Sequence, residues 1–479
     1  MKKNNTLKVL LITILVACLL TWILPITYYN GGLMTDSRYP TGLFDIFSYL
    51  SLTLYYFGST AVYILVVGAF YAIFEKTGVF RKVCDRIVKL FKGKEKIFFI
   101  SVITLLVAIV AFCGFSYELI FVLPLLASII LLMGYDKLTV AMTLIGSAAI
   151  GVIGNLYSNA VVGTYISNIS FEYNELILYK VIILVLGIAL LVFNIFRHIK
   201  KYEELSNKDK SSLESESKEL IAEKIEVKNK KGKVKASWPA IVIFDLILIL
   251  MIIGAINFSG AFGIDIFEKF HQSVMDVKIG GWPIFAKILG SSLQSSSLGN
   301  WTNVEFTSIM IIATIILAII YRIKINDIFT DYKDGAKKLA MPAFLIVLAY
   351  MSVVVTTNHP FLLTMLKPLL TITDGFNSVT LAISMFVTSI FKMEPYYIAS
   401  SVLPYVTSII EDTSVYSLIG FISQSMQGLS MLIAPTSIVL LGVISYLKID
   451  YTKWIKTIWK FFGELLIVAF ILFTIILLV

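Results

Sequence analysis

Two short polar stretches interrupt long apolar runs: GNLYSNA at Gly154–Ala160 and LIAPTS at Leu432–Ser437. In hydrocarbon, a helix is broken only where protein or a water-filled cavity takes over its backbone hydrogen bonds. Gly154 weakens the first run, and Asn155, Ser158 and Asn159 bring polar side chains within about one turn of the freed carbonyls and amides. In the second run Pro435 removes an internal hydrogen bond, and Thr436 and Ser437 supply hydroxyls. Freed carbonyls together with Asn, Ser and Thr oxygens can hold a dehydrated sodium ion, and amides at a half-helix N-terminus attract a carboxylate. Asn155, Ser158, Thr436 and Ser437 are therefore the expected sodium ligands, and no other metal site is expected. A kink whose hydroxyls bond back to their own helix is the plainer alternative for LIAPTS taken alone.

Three ionisable residues stand at the points where long apolar runs are expected to turn back: Glu118 in CGFSYE, close to Ser116, and Lys392 and Glu394 in FKMEPYY. A charge at membrane depth costs at least about 3 kcal/mol, so such residues normally face a cavity or a partner. Ser116, Glu118, Lys392 and Glu394 join the breaks as candidate substrate- or ion-binding residues. Lys392 and Glu394, beside Pro395, read equally well as groups snorkelling from a shallow position. Asp245 and Glu464 lie near span ends and are expected to be interfacial, and His359 before Pro360 reads as a boundary residue. No HExxH, GxSG or paired intramembrane Asp is present, so no enzyme is expected and no cofactor beyond a coupling ion. Cys18, Cys84 and Cys113 have no paired spacing, which argues against both a disulfide framework and a zinc site.

The elements that carry these residues follow from hydropathy. Of 479 residues, 58% are hydrophobic and 15% charged, a balance that excludes a soluble globular fold. The net charge of +9 lies in short loops and sets topology; it does not point to nucleic acid. Spans are expected at about 7–29, 57–74, 138–168, 176–196, 240–258, 303–321, 339–357 and 414–446, with a last span ending at Val479. The run from Ile97 to Met133 contains one charge and is too long for a single span, so it folds as a hairpin with its tip near CGFSYE. A second hairpin is expected at about 377–410 with its tip near FKMEPYY. VFRKVCDRIVKLF reads either as a helix on the membrane surface or as a solvated connector. LVAC at Leu15–Cys18 resembles a lipoprotein cleavage box, but the apolar run continues beyond it and is read as a retained first helix.

The phrase VLPLLASII (Val122–Ile130) returns as VLPYVTSII (Val402–Ile410), and in both copies the break lies 31 residues after the proline, at Asn155 and at Pro435. Five spans separate the hairpins, and an odd number inverts the second copy. The expected fold is thus an all-α polytopic membrane protein of about nine transmembrane helices plus two hairpins, built as two inverted-topology repeats with broken helices. Its parts are residues 1–200, a charged cytoplasmic linker at 201–237, and residues 238–479.

The ordered set TWILPITYYNGG, FEKTGVFRKV, GFSYELIFVLPLL, MGYDKLTVAMTLIGSAAIG, DIFTDYKDGAKKLAMPAFL and LIAPTSIVLLGVISYLKIDYTKWIK resembles the anaerobic four-carbon dicarboxylate carrier (DcuC) family, especially its YfcC-like branch. The resemblance implies an ion-coupled carrier in which Glu118 matches the acidic first tip. It also implies that Asn155, Ser158, Asn159, Pro435, Thr436 and Ser437 match the two unwound stretches. The family's first tip usually carries adjacent acidic residues, whereas Glu118 stands alone, and its second tip is usually rich in small residues, whereas FKMEPYY is bulky and charged. The expected function is secondary active transport of a small carboxylate or dicarboxylate by alternating access. Sodium is the expected coupling ion, with a proton carried by Glu118 as the alternative. A basic amino-acid transporter or exchanger of the same fold is the second reading, and a channel the third. Expected partners are the solute, the lipid bilayer and a second copy of the chain as a homodimer. The expected location is the bacterial cell membrane with a cytoplasmic N-terminus.

Overall fold

The computed structural model describes residues 5–205, 215, 217–225, 236–290, 296–373, 375–410 and 412–478; the rest of the expected charged linker lies outside the described residues. Helix α1 (Thr6–Ile23) ends before Pro25 and gives way to a small antiparallel pair, β1 (Thr27–Tyr29) with β2 (Leu33–Thr35). It is shorter than the expected span to residue 29 because proline disfavours helix in the residue before it. Helix α2 (Leu43–Lys76) is instead longer than expected and starts well before residue 57. Its N-terminus is fixed by Asp45, whose carboxylate accepts the Gly42 amide at 2.8 Å. The added turns expose Phe44, Phe47, Tyr55 and Tyr56; the tyrosines are amphipathic rings suited to the membrane boundary, and with the neighbouring Ser and Thr residues they lower the hydropathy and hide these turns from a span search.

Helix α3 (Phe80–Leu90) is amphipathic and lies on the Lys-rich side, where it buries Phe80 and Cys84. The first hairpin follows as α4 (Glu95–Cys113), a 3-10 turn at Tyr117–Phe121, and α5 (Leu123–Leu132). Its two ends meet where Phe99 and Tyr135 pack with ring centroids 5.4 Å apart, so the chain returns to the side it entered. Helix α6 (Lys137–Ile153) is capped by Asp136, which accepts the Thr139 amide at 2.9 Å. It stops at Gly154 and resumes as a wide turn at Asn159–Gly163 and α7 (Thr164–Ile169). Helix α8 (Ile177–Glu203) then crosses back, and His198 near its end meets Asp136 at 3.1 Å.

After the linker come α9 (Trp238–Ala255), three short helices, α10 (Asn303–Tyr321), the amphipathic α11 (Ile325–Lys338), α12 (Ala340–Asn358) and α13 (Leu362–Leu370). The second hairpin is α14 (Ser378–Phe391) and α15 (Pro395–Ile409). It leads to α16 (Tyr416–Ile433), a break at Ala434–Ser437, α17 (Ile438–Tyr446) and α18 (Tyr451–Leu478). Among the described residues nine helical segments are long and apolar enough to cross a membrane. They are not quite the nine expected: α4, one arm of a hairpin, qualifies by length, whereas α6 with 17 residues falls short because Gly154 ends it early.

Burial sorts these helices. In the segment Thr413–Tyr446 83% of the most apolar window is buried and in α12 78%, against 28% in α8, α9 and α18. The first two are buried nearly all round and form the centre, and the others turn Leu, Ile, Val and Phe side chains outward as a lipid-facing shell. At the centre Gln424 donates to the carbonyls of Ile153 (2.9 Å) and Asn155 (3.2 Å). One turn later Gly428 packs on Ala149 and Ile153. Helix α16 therefore runs antiparallel to α6, and the two broken helices cross in opposite directions. On the Lys-rich side, Lys76–Asp331 (3.2 Å) and Lys338–Glu75 (3.3 Å) join α2 to α11, and Lys448–Glu219 (2.6 Å) joins the end of α17 to the linker.

A β-carbon on Gly428 would come within 2.7 Å of the Ala149 carbonyl oxygen and 2.9 Å of the Ile153 amide. Gly428→Val is expected to force α6 and α16 apart and to destabilise the purified protein by about 1–3 kcal/mol, read as a lowered melting temperature in detergent.

Candidate functional site

Each hairpin tip is held by a tyrosine from a long neighbouring helix. At the first tip α4 ends in Gly114, whose left-handed φ of 74° and contact with Ser158 leave no room for a side chain. The chain then turns so that Glu118 accepts the Ser116 amide at 2.8 Å, and the Tyr63 hydroxyl of α2 donates to the Glu118 carbonyl at 2.9 Å. At the second tip the Tyr350 hydroxyl of α12 donates to the Glu394 carboxylate at 2.5 Å, with the Tyr350 ring stacked on Phe57 at 4.1 Å. Gln427 of α16 connects tip and break, accepting from the Tyr165 hydroxyl (3.0 Å) and donating to the Met393 carbonyl (3.1 Å).

The breaks are repaired locally. Asn155 donates to the Val110 carbonyl (2.9 Å) and accepts from the Ser158 hydroxyl (2.9 Å) and the Val162 amide (3.4 Å). Ser158 in turn accepts the Val161 amide at 3.1 Å and starts the next helical turn. In the second break Thr436 donates to the Ile390 carbonyl at 2.5 Å. Ser437 donates to the Met431 carbonyl (2.9 Å) and caps α17 through the Leu440 amide (3.4 Å). These oxygens are committed to protein groups, and they fasten each break to the hairpin of its own half.

A cavity of about 460 Å³ lies where the tips and breaks converge. Ser116, Tyr117 and Glu118 border it from the first tip, and Met393 to Tyr396 from the second. Asn159 to Val161 and Ser437 to Val439 border it from the two breaks, and Gly299 to Asn303 form its outer wall. Of the sequence candidates, Ser116, Glu118, Asn159, Glu394 and Ser437 thus share one cavity. Asn155, Ser158, Pro435 and Thr436 are not among its lining residues. Lys392 turns elsewhere, its ammonium reaching the hydroxyls of Ser401 (2.8 Å) and Thr357 (3.3 Å). The charged side chains among the described lining residues are the carboxylates of Glu118 and Glu394.

Gln427, Thr164, Ser167 and Trp301 also line the cavity and were not anticipated. SQSMQ at Ser423–Gln427, a polar cluster inside a span, was a readable signal for Gln427. Trp301 comes from a long connector with no counterpart in the first half, and its place depends on packing alone.

The two asparagines of the first break are placed differently, Asn155 bonded to protein groups and Asn159 bordering the cavity. Asn155→Ala, which takes the acceptor from the buried Ser158 hydroxyl and Val162 amide, is expected to cost about 1–3 kcal/mol of stability. Asn159→Ala, at an exposed position on the cavity, is expected to leave the melting temperature within about 1 °C while weakening the binding of a charged ligand by about ten- to a hundredfold. Thermal unfolding and ligand titration of the two purified variants check both outcomes.

A family model described as the C4-dicarboxylate anaerobic carrier matches residues 34–479. No curated protein matches the sequence. Among solved structures the chain is similar to the YdaH transporter of Alcanivorax borkumensis, at 13% identity and a TM-score of 0.41, over 99% of this chain and 98% of that one. With the family match extending over nearly the whole length of a many-helix apolar chain, the protein belongs to the C4-dicarboxylate anaerobic carrier family and is a multi-pass membrane carrier.

Proposed function

We propose that the protein is a secondary active transporter that moves a small carboxylate-bearing solute by alternating access, with the cavity between tips and breaks as its site. One observation carries this reading: a single cavity is bordered by both hairpin tips and both breaks, and the broken helices that frame it cross antiparallel. Two halves related by inversion can exchange conformations and so expose one site to either side in turn. The amides near Asn159 and Ala160, and near Ile438 and Val439, stand at helix starts that border the cavity, where a carboxylate is favoured. C4-dicarboxylates, the solutes in the family's description, are the first candidates.

A second reading is favoured by the charge of the site. With Glu118 and Glu394 as the charged groups on the cavity, a dianion meets like charge unless a cation accompanies it. A solute bearing an amine as well as a carboxylate, a basic amino acid above all, would use the glutamates and the helix starts together. Coupling to a monovalent cation belongs to both readings. Sodium at the breaks is one form; the commitment of the Asn155, Ser158, Thr436 and Ser437 oxygens to protein partners favours a proton as the other. The Lys-rich face is assigned to the cytoplasm of a bacterial cell, and the N-terminus with it.

Thermal unfolding across succinate, fumarate, malate, arginine, lysine and ornithine, with and without sodium, tests the function, because a ligand of the folded state at 100 times its Kd adds about 2.7 kcal/mol. Stabilisation by the diacids supports the family's solute class. Stabilisation by the basic amino acids alone, abolished by Glu394→Gln, assigns the second reading, and indifference to every solute overturns the site. For orientation, Ile372→Cys is expected to react with an impermeant maleimide in whole cells, and Lys224→Cys only after permeabilisation. The reverse pattern would invert the assignment.

A further inference from the structure

Lys180, in the first turn of α8, is 1% exposed, and its side-chain nitrogen has no hydrogen-bond partner. Nothing in the transport cavity accounts for it, since Lys180 does not line that cavity. It sits against the first break: a β-carbon on Gly154 would lie 2.9 Å from the Lys180 carbonyl oxygen. The nitrogen is 6.0 Å from the centre of the Phe171 ring, and that ring packs on Gly420 of α16. One helical turn beyond Gly420, Gln424 donates to the Ile153 and Asn155 carbonyls, and its own side-chain oxygen is also buried without a partner. A donor and an acceptor, both unpartnered, are thus built around the same broken helix.

We propose that Lys180 is the binding site of a coupling proton. The proposal rests on the alternating-access reading and names its coupling ion. A proton adds to the lone pair of the Lys180 amine and forms an ammonium. It leaves from the same nitrogen when the site opens to the other side, so no other reactant is required. An ammonium with no acceptor is costly at this depth. Protonation therefore favours a conformation in which movement at the break brings the nitrogen to an acceptor, such as the Gln424 side-chain oxygen. A ligand that prefers one conformation shifts the population toward it, and the proton is such a ligand.

The surrounding elements leave Lys180 as the group that responds. Glu175, in the turn before α8, is the charged residue that acts on it. At this level α6, α16 and α18 carry no ionisable side chain. Cys113 at the end of α4 points its thiol at the Ile252 carbonyl, and Tyr165 of α7 is bonded to Gln427.

The test needs no solute. Ser167→Cys, in a background with Cys18, Cys84 and Cys113 replaced by Ala, reports opening of the cavity through its rate of maleimide labelling. The rate is divided by that of the exposed Ile372→Cys to remove the intrinsic pH dependence of thiols. In the parent background this ratio is expected to change by at least about threefold between pH 6 and pH 9, and in Lys180→Met to stay flat within about 1.5-fold. Lys180→Met removes an unpartnered amine and keeps the volume, so its melting temperature is expected to equal or exceed the parent's. A variant that follows the parent's pH dependence overturns the proposal, as does a parent whose ratio does not change with pH. Loss of melting temperature in Lys180→Met, with the pH dependence retained in a second variant, Lys180→Gln, assigns Lys180 a structural role and also overturns it. Failure of the transport reading would be recorded separately, in the ligand panel.

Discussion

Every backbone group of two broken helices must find a partner in a medium that offers no water, and the rest of this structure is arranged around that requirement. The partners come from the neighbouring hairpin. Asn155 reaches the Val110 carbonyl and the Leu156 amide reaches Ala111 at 2.9 Å, so the first break is sewn to α4. Thr436 reaches Ile390, so the second break is sewn to α14. Each half thereby becomes one body made of a tip and a break, and a cavity forms where the two bodies face each other.

What holds those bodies in place differs from what joins them internally. The long α2 and the buried α12 supply Tyr63 and Tyr350, one hydroxyl for each tip. A single hydroxyl contributes modestly, about 0.5–1.5 kcal/mol for a neutral bond and more to a carboxylate. The ion pairs on the Lys-rich side are exposed on at least one partner and contribute little individually.

The electrostatics of the cavity follow from the two tips. Glu118 and Glu394 face it, while Lys392, adjacent in sequence, is drawn off to Ser401 and Thr357. The helix starts at the breaks give partial positive charge without a cationic side chain. The cavity thus carries its acidic side chains at the tips and its partial positive charge at the breaks.

Much of this could be read from the sequence, and for a physical reason. Hydropathy is local, and so are the polar clusters around Gly154 and Pro435 that mark the breaks; a proline alone is a weaker signal, since Pro404 lies inside a continuous helix. The phrase shared by Val122–Ile130 and Val402–Ile410, with a break 31 residues after each proline, made the pairing of hairpin and broken helix legible as well. The start of α2 at Leu43 was not legible, because Tyr, Ser and Thr lower the hydropathy of turns that lie at the membrane boundary. Nor was the direction in which each polar side chain points. Asn155 and Asn159 are four residues apart in one motif, yet the first is fully buried against α4 and the second opens on the cavity. That division depends on Val110 and on a neighbouring hairpin whose position no local pattern encodes. Lys180, Gln424 and Trp301 likewise acquire their surroundings from segments distant in the chain. The sequence by itself determined which segments span and where they break; packing alone decided which polar atoms repair the breaks and which face the cavity.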